Sequence, residues 1–327
     1  MREDNKQIVC LSTHYWDDAW FRKQHFMHRF WQKGYKVAYV EPSYSMAKRP
    51  DHDKERYQAN RLFGVSSEER EKNLFIIKPP KAIPFWSQPV ISRMNYWYFS
   101  FLLSDELKRL GFSDYMLWNY RPEYAHSLGT FKHKKLIFDI TDDLSAYQKA
   151  DARKSSYVQD CMDSLVRQSD LVIVTAATLH DKFKGLSRQI VLIPNGFDAQ
   201  NFSGKNIALP GDLQNVPSPR VGFIGTLFSF LDYDLIEYVA RNNRDKSFVF
   251  VGACEANSSL RWDSIVKDNP NVFWLGKKPK DTIPAYIQNF DVCINPFKVD
   301  AVSRSVSPLK FFEYLARRKP VVSVQME

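Results

Sequence analysis

Glycine is scarce in this chain, with twelve among 327 residues. A turn-rich β architecture of many tight hairpins needs glycine for its positive-φ positions, so that class is excluded, as is a low-complexity chain. Cysteine is equally sparse. Cys10, Cys161, Cys254 and Cys293 form no CxxC pair, and three of them lie in apolar, strand-like runs. They read as buried thiols in a reducing compartment, which excludes a disulfide framework. No apolar stretch reaches the roughly 18 residues of a spanning helix, and the start MREDNKQIVCL has no signal-like apolar core. The expected location is the cytosol, or a peripheral position on the cytosolic membrane face. The net charge is +9 without any long basic run, so nucleic acid is not expected; an anionic substrate or a membrane surface fits better. Gly222 and Gly225 in RVGFIGTL do not complete a GxGxxG fingerprint.

What is present is a globular balance, 44% hydrophobic and 25% charged, in a chain long enough for two domains. A short apolar strand (7–12) is followed by a helical pattern from Trp16 to Lys33, opened by Asp17 and Asp18, and then by the strand KVAYVEP. Residues 43–72 read as loop with broken helix. Further apolar strands at 73–80, 114–120, 135–140, 170–176 and 189–196 alternate with helical patterns. Periodicity fails in GKNIALPGDLQNVPSP, and strand–helix alternation resumes beyond it. The expectation is an α/β protein of two Rossmann-like, doubly wound parallel sheets facing across a cleft: domains 1–205 and 220–327, joined by a linker at 206–219.

The closing segment SPLKFFEYLARRKPVVSVQME joins an amphipathic helix, carrying Lys310 and Glu313, to a buried strand. Before it stand the strand DVCINPF and the polar loop KVDAVSRSV. Strand, loop and helix start with a nearby Lys and Glu form a pattern suited to a phosphorylated ligand. Backbone N–H groups at the helix start, with Lys310, Arg304 and Lys298, would stabilise the charge of such a ligand, while Ser305 and Ser307 allow close approach. The competing reading is a solvated basic loop with Ser307 capping the helix.

In the first half, FDITDDLSAY sets Asp139, Asp142 and Asp143 where a strand ends and a helix begins. Such carboxylates can orient an acceptor hydroxyl, act as a base or bind a divalent ion. Helix capping with a structural ion pair is the alternative. We take Asp139 and Asp142 as catalytic candidates, with no metal. His14, beside Thr13 and Arg22, follows the first strand and joins them as a hydrogen-bonding or proton-carrying group. His25 and His28 have no third ligand partner, so zinc is not expected. The aromatic stretch from Pro84 to Leu103, with Trp86, Trp97 and Tyr98, is either a helix packed on the first sheet or a membrane-interface element; Arg93 is its one basic residue.

The segments LIPNGFD, VGFIGTL, NVFWLGKKPKDTIPAYIQNFDVCINPF and SPLKFFEYLARRKPVV resemble GT-B nucleotide-sugar glycosyltransferases of the retaining branch. The opening STHYWDDAWFRKQHFMHRF with FDITDDLSAY resembles teichuronic acid and other bacterial surface polysaccharide enzymes. The resemblance implies transfer of a sugar from a nucleotide diphosphate donor, a UDP-sugar, to a glycan or lipid-linked acceptor, with no further cofactor. It implies that Glu313 accepts the nucleotide's ribose hydroxyls and that Gly225 belongs to the same donor-binding set. Two departures stand out. Ser305 occupies the position of a first glutamate, and GTLFSFLDYD lacks the Arg and Lys often found there. The family also continues beyond VVSV, so the chain reads as shortened at its C-terminus. A sugar-nucleotide epimerase of similar fold and a non-catalytic scaffold are the alternatives.

Overall fold

The computed structural model describes residues 6–18, 20–47, 57–58, 60–84, 88–146, 151–197, 202, 208–300, 303 and 307–325. The chain divides into two compact units, Met1–Pro194 and Asn195–Glu327. The division precedes the expected 206–219 linker because Phe202, Leu213 and Val216 already pack into the second unit's core with Ile224 and Val249.

The first unit begins with β1 (Gln7–Leu11), α1 (Arg22–Gln32) and β2 (Lys36–Val40). It continues with β3 (Ser66–Glu71), β4 (Leu74–Lys78), α2 (Pro89–Arg109), β5 (Tyr115–Asn119) and β6 (His133–Ile140). It closes with α3 (Ala152–Gln168), β7 (Leu171–Val174), α4 (Ala177–Phe183) and β8 (Ile190–Leu192). The sheet order is β3-β4-β2-β1-β5-β6-β7-β8, and only the β3–β4 pairing is antiparallel among the described residues.

Strand periodicity builds two core layers. Val9 and Leu11 of β1, with Ala38 and Val40 of β2, face the layer holding α2 and α3 residues. Their alternates Ile8, Cys10, Val37 and Tyr39 face the layer under α1. Burial on both faces gives these strands their uninterrupted apolar runs.

Two expectations are corrected here. Helix α1 starts at Arg22 instead of Trp16: Trp16 is buried in the α1-side layer, and its N–H donates to Glu41 Oε1 at 2.9 Å. Asp17 is not a helix-start acid but bonds Arg70 Nη2 at 2.6 Å. Within 43–72, the polar segment SSEERE forms β3 along the sheet edge.

The second unit contains β9 (Arg220–Ile224), α5 (Tyr233–Asn242), β10 (Ser247–Val251), α6 (Ala256–Asp268) and β11 (Val272–Trp274). It ends with α7 (Ile283–Gln288), β12 (Val292–Asn295), α8 (Leu309–Ala316) and β13 (Val321–Ser323). The sheet is parallel throughout, in order β11-β10-β9-β12-β13. Phe248 and Phe250 face one layer, Val249 and Val251 the other. Among the described residues, no helix is long and apolar enough to cross a membrane.

Candidate functional site

In the first unit, a cavity of about 350 Å³ opens beside the ends of β1 and β6, bordered by Thr13, His14, Lys23, Tyr120, Asp142 and Lys154 among others. The loop after β1 is held by its own hydrogen bonds. Ser12 Oγ and Tyr39 OH both donate to the His14 carbonyl, at 3.0 and 2.9 Å, which fixes the imidazole's base. His14 Nδ1 lies 2.9 Å from Thr13 Oγ1 and 3.1 Å from Lys23 Nζ, and Lys23 also donates to Thr13 Oγ1 at 2.6 Å. Burial, then the neighbouring Lys23 charge, lowers the His14 pKa to about 4, so the ring is neutral at pH 7. Burial lowers Lys23 to about 8 against the pull of Asp142.

Asp142 borders this cavity, and its Oδ2 accepts from Thr141 Oγ1 at 3.0 Å. Asp143 is taken by Lys182 Nζ at 2.7 Å, forming the structural ion pair. Asp139 also lines the cavity but lies deeper. Its carboxylate is fully buried, and Oδ2 accepts from Arg22 Nε, Trp118 Nε1 and Tyr120 OH at 3.0, 3.2 and 2.8 Å. Strand alternation explains this: Leu136, Phe138 and Ile140 face the α2–α3 layer, so Asp139, like Ile137, points under α1. Burial raises its pKa against the opposing Arg22 charge. Arg22 in turn donates through Nη1 to the Ile193 and Pro194 carbonyls. Asp139 therefore links α1 to the chain after β8 through Oδ2, while the residue also lines the cavity and its Oδ1 has no hydrogen-bond partner among the described residues.

Lys23 was absent from the residues singled out by sequence. Its signal was a pair of cations, Arg22 and Lys23, in the first turn of α1, where the helix dipole disfavours positive charge. Placing the helix start at Trp16 hid it.

In the second unit, Tyr314 is fully buried and its hydroxyl accepts from the Ile224 N–H at 2.8 Å, pinning α8 to the end of β9. This contact sets Lys310 beside Gly225. The Lys310 ammonium sits 4.6 Å from the Phe223 ring centroid and 4.7 Å from that of Phe297. Gly225, at φ +141°, leaves the space: a Cβ there would lie 2.9 Å from Lys310 Nζ. Burial lowers Lys310 to about 8, opposed by Glu313. Glu313 is itself pushed up by burial, against the pull of Lys280 and Lys310. Arg317, one turn beyond Glu313, donates through Nη1 to Gln288 Oε1 at 3.2 Å. Ser307 offers its carbonyl to Asn195 Nδ2 at 2.9 Å, tying the Asn-Gly turn to the start of α8. Lys298 is exposed, its N–H bonded to the Phe230 carbonyl. Arg304 and Ser305 lie outside the described residues, as do Trp86 and Asp198.

The comparisons with known proteins agree with this architecture. Residues 218–327 match the family described as glycosyl transferases group 1. The chain is 25% identical over 313 residues to the Bacillus subtilis (strain 168) protein named "Putative teichuronic acid biosynthesis glycosyltransferase TuaH", covering 84% of this chain and 78% of that one. Sucrose-phosphate synthase from Thermosynechococcus elongatus superposes with a TM-score of 0.66 at 14% identity, over 98% of this chain and 82% of that one. HepE of Anabaena, solved in complex with UDP and glucose, superposes with a TM-score of 0.63 at 13% identity, over 98% and 81%. Each solved structure is distant enough in sequence to speak for the fold alone. A group 1 match on the second unit, a relative spanning most of the chain and a shared fold converge: this protein is a glycosyltransferase with the GT-B fold, its group 1 domain occupying residues 218–327.

Proposed function

We propose that the chain transfers a sugar, with retention, from a UDP-sugar to a glycan or lipid-linked precursor of a bacterial surface polysaccharide, on the cytosolic side of the membrane. The second unit takes the donor. Glu313 accepts the ribose hydroxyls, Lys310 faces the diphosphate, and Gly225, Ser307, Lys298 and the Arg304–Ser305 segment complete the site. Cleavage of the sugar–phosphate bond builds negative charge on the leaving diphosphate, which a fixed cation stabilises without proton transfer. The first unit takes the acceptor in the cavity bordered by His14 and Asp142, where a carboxylate and a neutral imidazole can orient a sugar hydroxyl. UDP in the HepE structure and the teichuronic acid name of the Bacillus relative support the choice of donor and acceptor.

One observation carries the donor site: the Lys310 ammonium is half-buried among Phe223, Phe297 and Gly225, with no salt bridge to a carboxylate among the described residues. A desolvated cation without an ionic partner gains more from a bound anion than a solvated surface lysine does. The test is calorimetric titration with UDP. Lys310→Ala and Glu313→Ala are each expected to weaken binding by roughly tenfold or more, the scale of one charge-assisted contact. Unchanged affinity in both folded variants rejects the assignment.

The acceptor reading includes peripheral contact with an anionic membrane. It is supported by a stripe on α2, Val90, Met94, Trp97 and Phe101, each more than half exposed.

A further inference from the structure

We propose that Lys23 is a positioning residue that holds His14 as its Nε2–H tautomer, making the imidazole a hydrogen-bond donor toward the first-unit cavity and denying it the role of a base at that atom. The inference rests on the acceptor-site reading for its purpose, but its structural content stands without it. An ammonium group can only donate. Lys23 Nζ lies 2.6 Å from Thr13 Oγ1 and 3.1 Å from His14 Nδ1. Thr13 Oγ1, accepting from Lys23, has its own proton for His14 Nδ1 at 2.9 Å. Both neighbours therefore present protons to Nδ1, which must offer its lone pair, and the single proton of the neutral ring goes to Nε2.

The cluster is preorganised. Lys23 is 4% exposed and lies 5.0 Å from the Tyr120 ring centroid, which supports its cation from a further side. The His14 backbone is clamped by Ser12 and Tyr39, and its ring packs on Phe21 at 4.4 Å between centroids. The arrangement depends on the Lys23 charge. The groups acting on Lys23 are Asp142, Cys10 and Asp139, which favour the charged form, and Arg121, which opposes it; Asp18 and Lys23 act on His14. Lys23 loses its proton near pH 8. Above that, its amine has a lone pair, Nδ1–H becomes acceptable, and the tautomer is released.

Long-range ¹⁵N–¹H spectra of the full chain with ¹⁵N-labelled histidine read the tautomer directly, with His14 assigned by its loss in His14→Asn. At pH 7 a pyridine-like shift is expected at Nδ1 and a pyrrole-like shift at Nε2. Raising the pH through about 8 in the unmodified protein, or substituting Lys23→Met at pH 7, is expected to move both resonances toward intermediate values. A protonated Nδ1 at pH 7 overturns the proposal, as do resonances that ignore both perturbations. The pH series needs no variant, so a misfolded Lys23→Met protein leaves the test intact. Adding octyl glucoside as a glycolipid probe separates the two claims. An unmoved Nε2 resonance counts against the acceptor reading while the tautomer result stands.

Discussion

At the scale of single residues, Lys310 is a cation held at a cost to the fold. Its pKa falls to about 8 from an ordinary lysine value because burial penalises the ammonium. The sign follows. The folded value is depressed, so below pH 8 the charged side chain opposes folding, and that penalty fades as pH rises from 8 toward the unfolded value. An apolar isostere removes the penalty, so Lys310→Met is expected to raise the stability of the ligand-free protein at pH 7, by on the order of 1 kcal/mol after screening. The same variant is expected to lose most of its UDP affinity. In the unmodified protein that affinity is expected to decline above pH 8, as the cation is lost. Chemical denaturation and calorimetry at pH 7 and pH 9 measure both quantities. A less stable Lys310→Met, or UDP affinity with the same pH profile in both proteins, contradicts the reading. The trade runs in the direction expected of a binding site, where stability is given up for a poised charge.

At the scale of elements, the geometry around Lys310 depends on how closely strand ends approach. Gly252, at φ +155°, follows β10, and a Cβ there would lie 2.0 Å from the Gly225 carbonyl oxygen. Gly225 in turn makes room for Lys310. Gly222 is crowded by a different neighbour: its Cβ would meet the Phe290 ring at 2.0 Å, inside the core. Alanine at either position is expected to cost about 1–3 kcal/mol, the usual range for overpacking and backbone strain. The two should differ in binding. Gly252→Ala displaces the Gly225 turn and is expected to weaken UDP binding, while Gly222→Ala leaves the folded fraction's affinity intact; equal affinities in the two variants refute the coupling. The same scale shows what sequence can disclose. Strands buried on both faces declare themselves as apolar runs, so β1, β2, β4 and the strands of the second unit were legible. Edge strand β3 pairs on one side only and reads SSEERE, so its pattern matched a loop. The helix carrying Lys310 and Glu313 was legible from its amphipathic spacing, whereas the burial of Asp139 against Arg22 was not, because the residues of a single strand do not name the partner across the layer. Lys23 was missed because Asp17 and Asp18 imitate helix-start acids, although Asp17 is engaged with Arg70.

At the scale of the whole molecule, the net charge of +9 is unevenly laid along the chain. Residues 72–104 contain no aspartate or glutamate but include Lys72, Lys78, Lys81 and Arg93. Lys81 is buried against the Tyr57 ring, while Lys72 and Arg93 are exposed and Lys78 is half-buried. Most of helix α2, whose last turn runs on through Asp105 and Glu106 to Arg109, falls in this segment. Its inner face packs through Tyr96, Phe99, Leu103 and Leu107, while Val90, Met94, Trp97 and Phe101 follow a 4-3-4 spacing on the outer face. The Trp97 and Phe101 rings stack at 6.2 Å. Each such side chain gains about 1.5–3 kcal/mol on full burial, and each basic residue near an anionic surface adds about 1 kcal/mol. Half-exposed side chains realise part of that gain, which gives reversible attachment instead of permanent anchoring. The protein is therefore expected to sediment with phosphatidylglycerol-containing vesicles and far less with neutral phosphatidylcholine. Trp97→Glu combined with Phe101→Glu is expected to reduce binding by tenfold or more, because it removes apolar contact and adds repulsion together. Raising salt is expected to weaken the attachment of the unmodified protein without abolishing it, since the apolar share is not screened. Equal sedimentation of the unmodified and doubly substituted proteins would show that the stripe is not the contact. Concentration-dependent self-association, lost in the double variant and indifferent to lipid, would assign the stripe to a second copy of the chain instead.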